Sequence, residues 1–251
     1  MSKFFEQNPF GPNQNQVVMD LQNNLAQKNQ MISQLLQRVG AMELASKKPS
    51  TKKDAAKATT PASGLKKNPL QMVTSEQPEG FERTKEAFYL HIKILWGLIE
   101  SGTVPSLPKP NQLIEFNQQL SSAKQIKHVI NSCGSPHLVA FNQIENLREA
   151  KSTRKKLAKN VYHMSDMLIQ YIHTFLARIR ICKWAPDLEA QPNSLYNKAC
   201  RISAIQTFLP AVVGKAYVYM KMNKGFANDF NLLIQTYNHY IHFYLAGIYS
   251  K

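Results

Sequence analysis

The sequence lacks the motifs on which most catalytic and metal centres depend. It has no P-loop, no GxGxxG fingerprint, no GxSxG elbow, no HExxH pair and no CxxC pair. Its five aspartates are widely spaced, whereas enzymes that cleave or copy nucleic acid need clustered carboxylates to hold divalent ions. We therefore expect no catalytic residue, no metal site, no cofactor and no enzymatic activity. An enzyme acting on nucleic acid stays an alternative, but it would need scattered carboxylates to converge in the fold.

Cysteine and long apolar runs are also scarce. Cys133, Cys182 and Cys200 are odd in number and far apart, which indicates unpaired thiols in a reducing compartment. Residues 1–10 lack the apolar centre of a signal peptide, and no uninterrupted run of about 18 apolar residues predicts a transmembrane span. We expect a location in the cytoplasm, the nucleus or the interior of a virion, and no secretion.

Positive charge is what the sequence has in excess. It contains 31 Lys and Arg against 16 Asp and Glu, which gives a net charge of +15. Residues 81–251 hold 21 of the basic and ten of the acidic groups, so the excess is not confined to a tail. A basic folded domain attracts nucleic acid, an anionic membrane or an acidic protein. A basic protein without any such ligand stays an alternative.

A heptad pattern occupies the N-terminal region, 1–45. Spacing of 3.5 residues keeps one apolar stripe turned towards a partner helix, so this region predicts a coiled-coil arm that self-associates. A lone amphipathic helix that folds back on the body is the alternative. Only Lys28 interrupts the a and d positions, which are otherwise Val18, Leu21, Leu25, Ile32, Leu35, Val39 and Met42.

Residues 46–80 change in composition to Lys, Ser, Thr, Ala and Pro. Low hydrophobicity and high charge do not offset the entropy lost on ordering, so we expect a flexible basic linker. The region 81–251 instead repeats apolar residues at helical spacing and shows no alternating strand pattern. It predicts an all-α domain of about seven helices. Their expected ranges are 81–102, 111–134, 136–150, 152–185, 194–210, 211–222 and 226–248.

Basic residues are densest in the middle of this domain, where six fall between 148 and 159. We predict that they and later cations line a positive groove that follows a sugar–phosphate backbone. A solvated helix end is the alternative for the dense run. Trp184 and Tyr196, beside a proline-containing loop, are the predicted base-stacking residues. The predicted cationic residues are Arg148, Lys151, Arg154, Lys155, Lys156, Lys159, Arg178, Arg180, Lys183, Lys198, Arg201, Lys215, Lys221 and Lys224.

The order of an assembly helix, a basic tether and a helical basic body resembles the organisation of viral nucleocapsid and other packaging proteins. It predicts a non-enzymatic, oligomeric structural protein that binds RNA or DNA without sequence preference. The rival interpretation is a structural or scaffolding subunit, such as a minor virion protein or an adaptor. In that case the coiled coil and the basic surface would bind other proteins or a membrane surface.

Overall fold

A computed structural model describes residues 68–98, 103–132, 137–144 and 163–251. These residues contain helices and no strand, which confirms the all-α class for the part of the domain that they cover. All of them lie in one compact unit of the chain. The predicted coiled-coil residues, from Val18 to Met42, and residues 46–67 of the predicted linker lie outside the described ranges.

The described ranges contain six helices. We label the continuous last helix α6; it comprises an α-helical part, a π-helical part and an α-helical end. The helices are α1 (Glu82–Trp96), α2 (Pro110–Gln119), α3 (Ala123–Asn131), α4 (Asp166–Arg178), α5 (Leu195–Val213) and α6 (Phe230–Asn238, His239–Leu245 and Ala246–Tyr249). Short 3-10 turns lie before α1, between α3 and α4, and between α5 and α6.

Side-chain caps fix where four of these helices begin. Ser122, Ser165, Ser194 and Asp229 each accept a hydrogen bond from the backbone N–H three residues later. Such a cap satisfies one of the backbone donors that the first turn of a helix leaves unpaired. The predicted start at Ser194 is thereby confirmed, whereas α4 begins only at the Ser165 cap, later than the expected 152.

Helix α5 is the centre of the core. Its buried residues lie on all sides of the helix axis, as expected of a helix surrounded by others. It contacts α1, α2, α3, α4 and α6. Aromatic rings fill much of the space around it: Phe88 of α1 lies 4.9 Å from Phe208, and Trp96 lies 5.7 Å edge-on to Trp184 between ring centroids. The burial of these rings contributes to the stability of the described fold.

Three further expected helices differ from the structure. The range 111–134 is divided, because α2 ends at Gln119 and Ser122 caps a new helix. Within the expected 136–150 helix, the described residues 137–144 form only a 3-10 turn at Phe141–Gln143. No separate helix covers 211–222, because α5 continues through Pro210 to Val213. Buried side chains on both sides of Pro210 hold the helix together where the missing N–H would otherwise end it.

Residues 68–80, the last part of the predicted linker, contact the helical body. The backbone N–H of Met72 donates to His239 Nδ1 at 3.2 Å, and Lys85 Nζ donates to Gln77 Oε1 at 3.0 Å. These bonds attach the segment to α6 and α1. The domain boundary at residue 80 stays a prediction, because residues 46–67 lie outside the described ranges.

Candidate nucleic-acid interface

The predicted cationic residues fall into two sets. Six of them lie outside the described ranges: Arg148, Lys151, Arg154, Lys155, Lys156 and Lys159. The other eight are described, and they differ in how much of the side chain reaches solvent. Burial decides which of them can touch a phosphate, since a guanidinium or ammonium that is already enclosed by the protein offers no donor to a ligand.

Two of the described arginines are used by the fold itself. Arg201 is 7% exposed, and its Nη1 donates to Asn238 Oδ1 at 3.2 Å and to Asn193 Oδ1 at 3.5 Å. Arg180 donates from Nη1 to the Leu138 carbonyl and from Nη2 to Glu115 Oε2, both at 2.7 Å. The prediction that Arg201 lines a groove is therefore wrong for the described structure, whereas for the half-buried Arg180 it stays a prediction.

The two predicted base-stacking residues belong to the core. Trp184 is 0% exposed, and its Nε1–H donates to Ser203 Oγ at 2.7 Å. Tyr196 is 4% exposed, packs edge-on against Phe116, and accepts a hydrogen bond from Gln112 Nε2. Neither ring has a face open to a nucleobase, so the prediction is wrong for both. Pro186, at the start of the proline-containing loop that suggested exposure, is itself buried.

Three of the remaining cations are half-buried and three are exposed. Arg178, Lys183 and Lys198 are half-buried beside α4 and α5. Lys215, Lys221 and Lys224 are exposed, and they lie within residues 214–224, which we call the lysine loop. Within the described ranges these three make no ion pair. The chain from 190 to 228 contains no Asp or Glu, so the exposed lysines have no acidic neighbours in sequence.

A buried network attaches the lysine loop to the core. His91 Nδ1 and Tyr217 Oη are 2.8 Å apart, and so are His91 Nε2 and Thr207 Oγ1. The Thr207 hydroxyl donates its only proton to the Ser203 carbonyl at 2.7 Å, so it must accept from His91 Nε2–H. The Nδ1 atom of a neutral His91 then accepts from the Tyr217 hydroxyl. Every polar atom of this imidazole is thereby satisfied.

Burial keeps this histidine neutral. His91 is fully buried, and removal of the charged form from water lowers its pKa to about 3. Tyr217 is buried as well, and burial raises its pKa well above the usual value. Both groups are therefore neutral near pH 7, as the hydrogen-bond pattern requires. The exposed lysines on either side of Tyr217 are consequently fixed to a rigid anchor.

The lysine loop begins with an unfavourable backbone conformation. Lys215 follows α5 with a φ of 63°, in the left-handed region that glycine prefers. The N–H of Ala216 donates to the Ala211 carbonyl at 2.9 Å, and that of Lys215 donates to the Val212 carbonyl at 3.1 Å. These two bonds define a Schellman motif, in which Lys215 occupies the position that usually belongs to glycine.

An exposed aromatic ring lies between the lysines. Tyr219 is 44% exposed, and its ring centroid lies 4.7 Å from that of His163 at an interplanar angle of 32°. His163 precedes α4, whose exposed residues include Met167 and Tyr171. Tyr219 was not among the predicted stacking residues, because aromatic residues at helical spacing usually belong to the core. Its position between Lys215 and Lys221 was the available signal.

No group of three or more His, Cys, Asp or Glu side chains in the described ranges is arranged to hold a metal ion. No helix in the same ranges is long and apolar enough to span a membrane. A comparison with models of known protein families found no match, and neither did searches of curated proteins and of solved structures.

Proposed function

We propose that this protein binds nucleic acid through the phosphate backbone, without reading the base sequence, as a non-enzymatic structural protein of the packaging kind. The observation that carries the proposal is the lysine loop, which holds three exposed cations that make no ion pair within the described ranges. Lysine ammonium groups bind phosphate as point charges, and such contacts carry affinity without base specificity.

The conformation of Lys215 supports a role for its side chain in binding. A non-glycine residue in the left-handed region destabilises the folded state by about 1 to 2 kcal/mol. The exposed side chain of Lys215 forms no ion pair within the described ranges that would offset this cost. Strained backbone positions are concentrated at functional sites. A ligand phosphate would give this lysine the partner that accounts for its presence.

The dense basic run is close in sequence to a residue that contacts the lysine loop. The run ends at Lys159, four positions before His163, and four residues span at most about 14 Å. His163 contacts Tyr219 within the lysine loop. The chain between the run and His163 is therefore short enough for the end of the run to reach the same ligand as Lys215 and Lys221. Cations from two separate parts of the sequence can then bind one polyanion.

Self-association through the N-terminal heptads would multiply these contacts. Few phosphates are contacted by one copy of the lysine loop, so a single copy binds weakly. Linking copies through a coiled-coil arm turns later binding events into intramolecular ones, which raises the avidity by orders of magnitude. This arrangement suits a protein that coats a long polymer of uniform charge.

A salt titration of the full chain tests the proposal. The logarithm of the affinity for an oligonucleotide is expected to fall with the logarithm of salt concentration, with a slope that counts the neutralised phosphates. The triple substitution Lys215→Gln, Lys221→Gln and Lys224→Gln should reduce the magnitude of that slope by about 2 to 3. A slope near zero in the unmodified protein would overturn the proposal.

The matched control changes three exposed lysines that lie outside the loop. Lys93→Gln, Lys124→Gln and Lys251→Gln remove the same total charge from exposed positions. An equal loss of slope in both triple variants would show that net charge, and not the lysine loop, governs binding. Protein that copurifies without nucleic acid and binds none at low salt would favour the scaffolding interpretation, in which the basic surface meets acidic proteins or a membrane.

A further inference from the structure

We infer that the nucleic acid bound at the lysine loop is single-stranded, with unpaired bases stacked on exposed rings beside the lysines. The inference rests on the proposed function and adds to it the class of nucleic acid and the residues that select it. The surface consists of Tyr219, His163, Met167 and Tyr171, and we call it the stacking face.

The first part of the stacking face is the ring pair Tyr219 and His163. The two rings are inclined by only 32° at a centroid distance of 4.7 Å, so they form a nearly parallel stack. Lys215 and Lys221 lie four positions before and two positions after Tyr219, and both are exposed. A base that extends this stack would have its flanking phosphates within reach of ammonium groups. Base stacking on aromatic side chains beside a cationic track is how proteins hold single strands without reading sequence.

The second part continues onto α4. Met167 is 79% exposed, and Tyr171 follows it by four residues, so both lie on one side of the helix about 6 Å apart along its axis. The methionine sulfur makes favourable contacts with aromatic rings, and its unbranched chain adapts to different bases. An exposed methionine and tyrosine at this spacing therefore extend the ring pair as a surface for flat ligands.

The exposed rings, and not the charge, favour a single strand over a duplex. The bases of a duplex are already stacked on one another, and its outer surface presents sugar and phosphate. Exposed rings gain nothing from that surface, although the lysines would still bind it. A purely electrostatic site should bind a duplex at least as tightly as a single strand, because the duplex has the higher charge density. A preference for the single strand would therefore show that the rings contribute to binding.

The test compares two labelled probes on the full chain at one salt concentration. One probe is an oligothymidylate of about 16 nucleotides, and the other is a duplex of about 16 base pairs. We expect the single strand to bind about 10-fold more tightly, as one or two stacked bases allow. Tyr219→Leu should lower the affinity for the single strand by about 10-fold and leave the duplex affinity and the salt slope unchanged.

Two further variants control for changes in folding. Tyr244→Leu removes another exposed tyrosine, on α6 and outside the stacking face, and should change neither affinity. Tyr171→Leu, on α4, should weaken single-strand binding even if Tyr219→Leu disturbs the loop. If neither probe binds, the proposed function fails. If both bind equally, or if Tyr219→Leu weakens both equally, the proposed function stands and the single-strand inference is overturned.

Discussion

Two helices of this domain end in the same backbone motif with a cation where glycine is usual. At the end of α4 the residue is Arg180, with a φ of 53°, and at the end of α5 it is Lys215, with a φ of 63°. Helix α1 ends in the same hydrogen-bond pattern with Gly97, at a φ of 68°. The three ends share one geometry, so they differ mainly in what the side chain does.

Contacts within the fold account for the arginine at the end of α4, but not for the lysine at the end of α5. The Arg180 guanidinium joins the Leu138 carbonyl to the Glu115 carboxylate, so the side chain ties three segments together. The Lys215 side chain is exposed and has no ion pair within the described ranges. The same strain is offset inside the fold in one case. In the other, no ion pair within the described ranges offsets it, and this is why we propose a ligand for the lysine.

The largest expected effect concerns the anchor behind the α5 end. Since the pKa of His91 is lowered to about 3, the unfolded chain binds a proton below its ordinary pKa of 6.5 while the folded chain does not. Stability should therefore be full above pH 6.5 and fall as the pH is lowered, by about 3 kcal/mol between pH 7 and pH 4. Urea unfolding at a series of pH values measures this change.

Substitutions separate the contribution of His91 to the pH dependence of stability from the contribution of other histidines. His242, whose pKa burial lowers to about 4, adds to the same fall. His91→Gln should flatten the pH dependence, and His242→Gln should flatten it less. If His91→Gln left the pH dependence as steep as before, His91 would not be the neutral anchor that the hydrogen bonds to Tyr217 and Thr207 require.

The next effect is at the α4 end. Arg180→Gly removes both guanidinium hydrogen bonds and also relieves the backbone strain. A bond from a charged donor to a backbone carbonyl contributes more than the strain costs, whereas the half-exposed pair with Glu115 adds little. We expect a net destabilisation of about 1 to 2 kcal/mol in urea unfolding. A more stable Arg180→Gly variant would mean that the two guanidinium hydrogen bonds do not offset the backbone strain.

The sequence predicted the class of fold better than it predicted the site. Helical periodicity and the absence of alternating patterns depend on local spacing, and both led correctly to helices in the described ranges. The Ser194 start was predictable for the same reason, since a cap is a local interaction. The continuation of α5 through Pro210 was not, because packing on both sides of the proline overrides its local preference.

The solvent exposure of individual side chains could not be predicted from the local sequence. Trp184 and Tyr196 lie beside prolines and cations, yet both rings are in the core. Arg201 lies among the predicted groove residues and is enclosed between α5 and α6. The three lysines of the lysine loop had the same sequence signal and turned out to be exposed. Whether a side chain in a loop faces inward depends on long-range packing, which no window of sequence contains.

The smallest expected effect on stability is the one that discriminates best between the two helix ends. Lys215→Gly should stabilise the protein by about 0.5 to 1 kcal/mol, because glycine adopts the left-handed conformation without strain. The same variant should bind oligonucleotide more weakly and lose about 1 from the magnitude of the salt slope. Gly97→Ala calibrates the backbone term, since a Cβ there meets no atom within 4 Å and only the conformation is penalised. Opposite signs for Lys215→Gly and Arg180→Gly would show that the stability of the fold depends on the arginine side chain and not on the lysine side chain. Loss of stability in Lys215→Gly would contradict this, because the lysine would then be part of the fold.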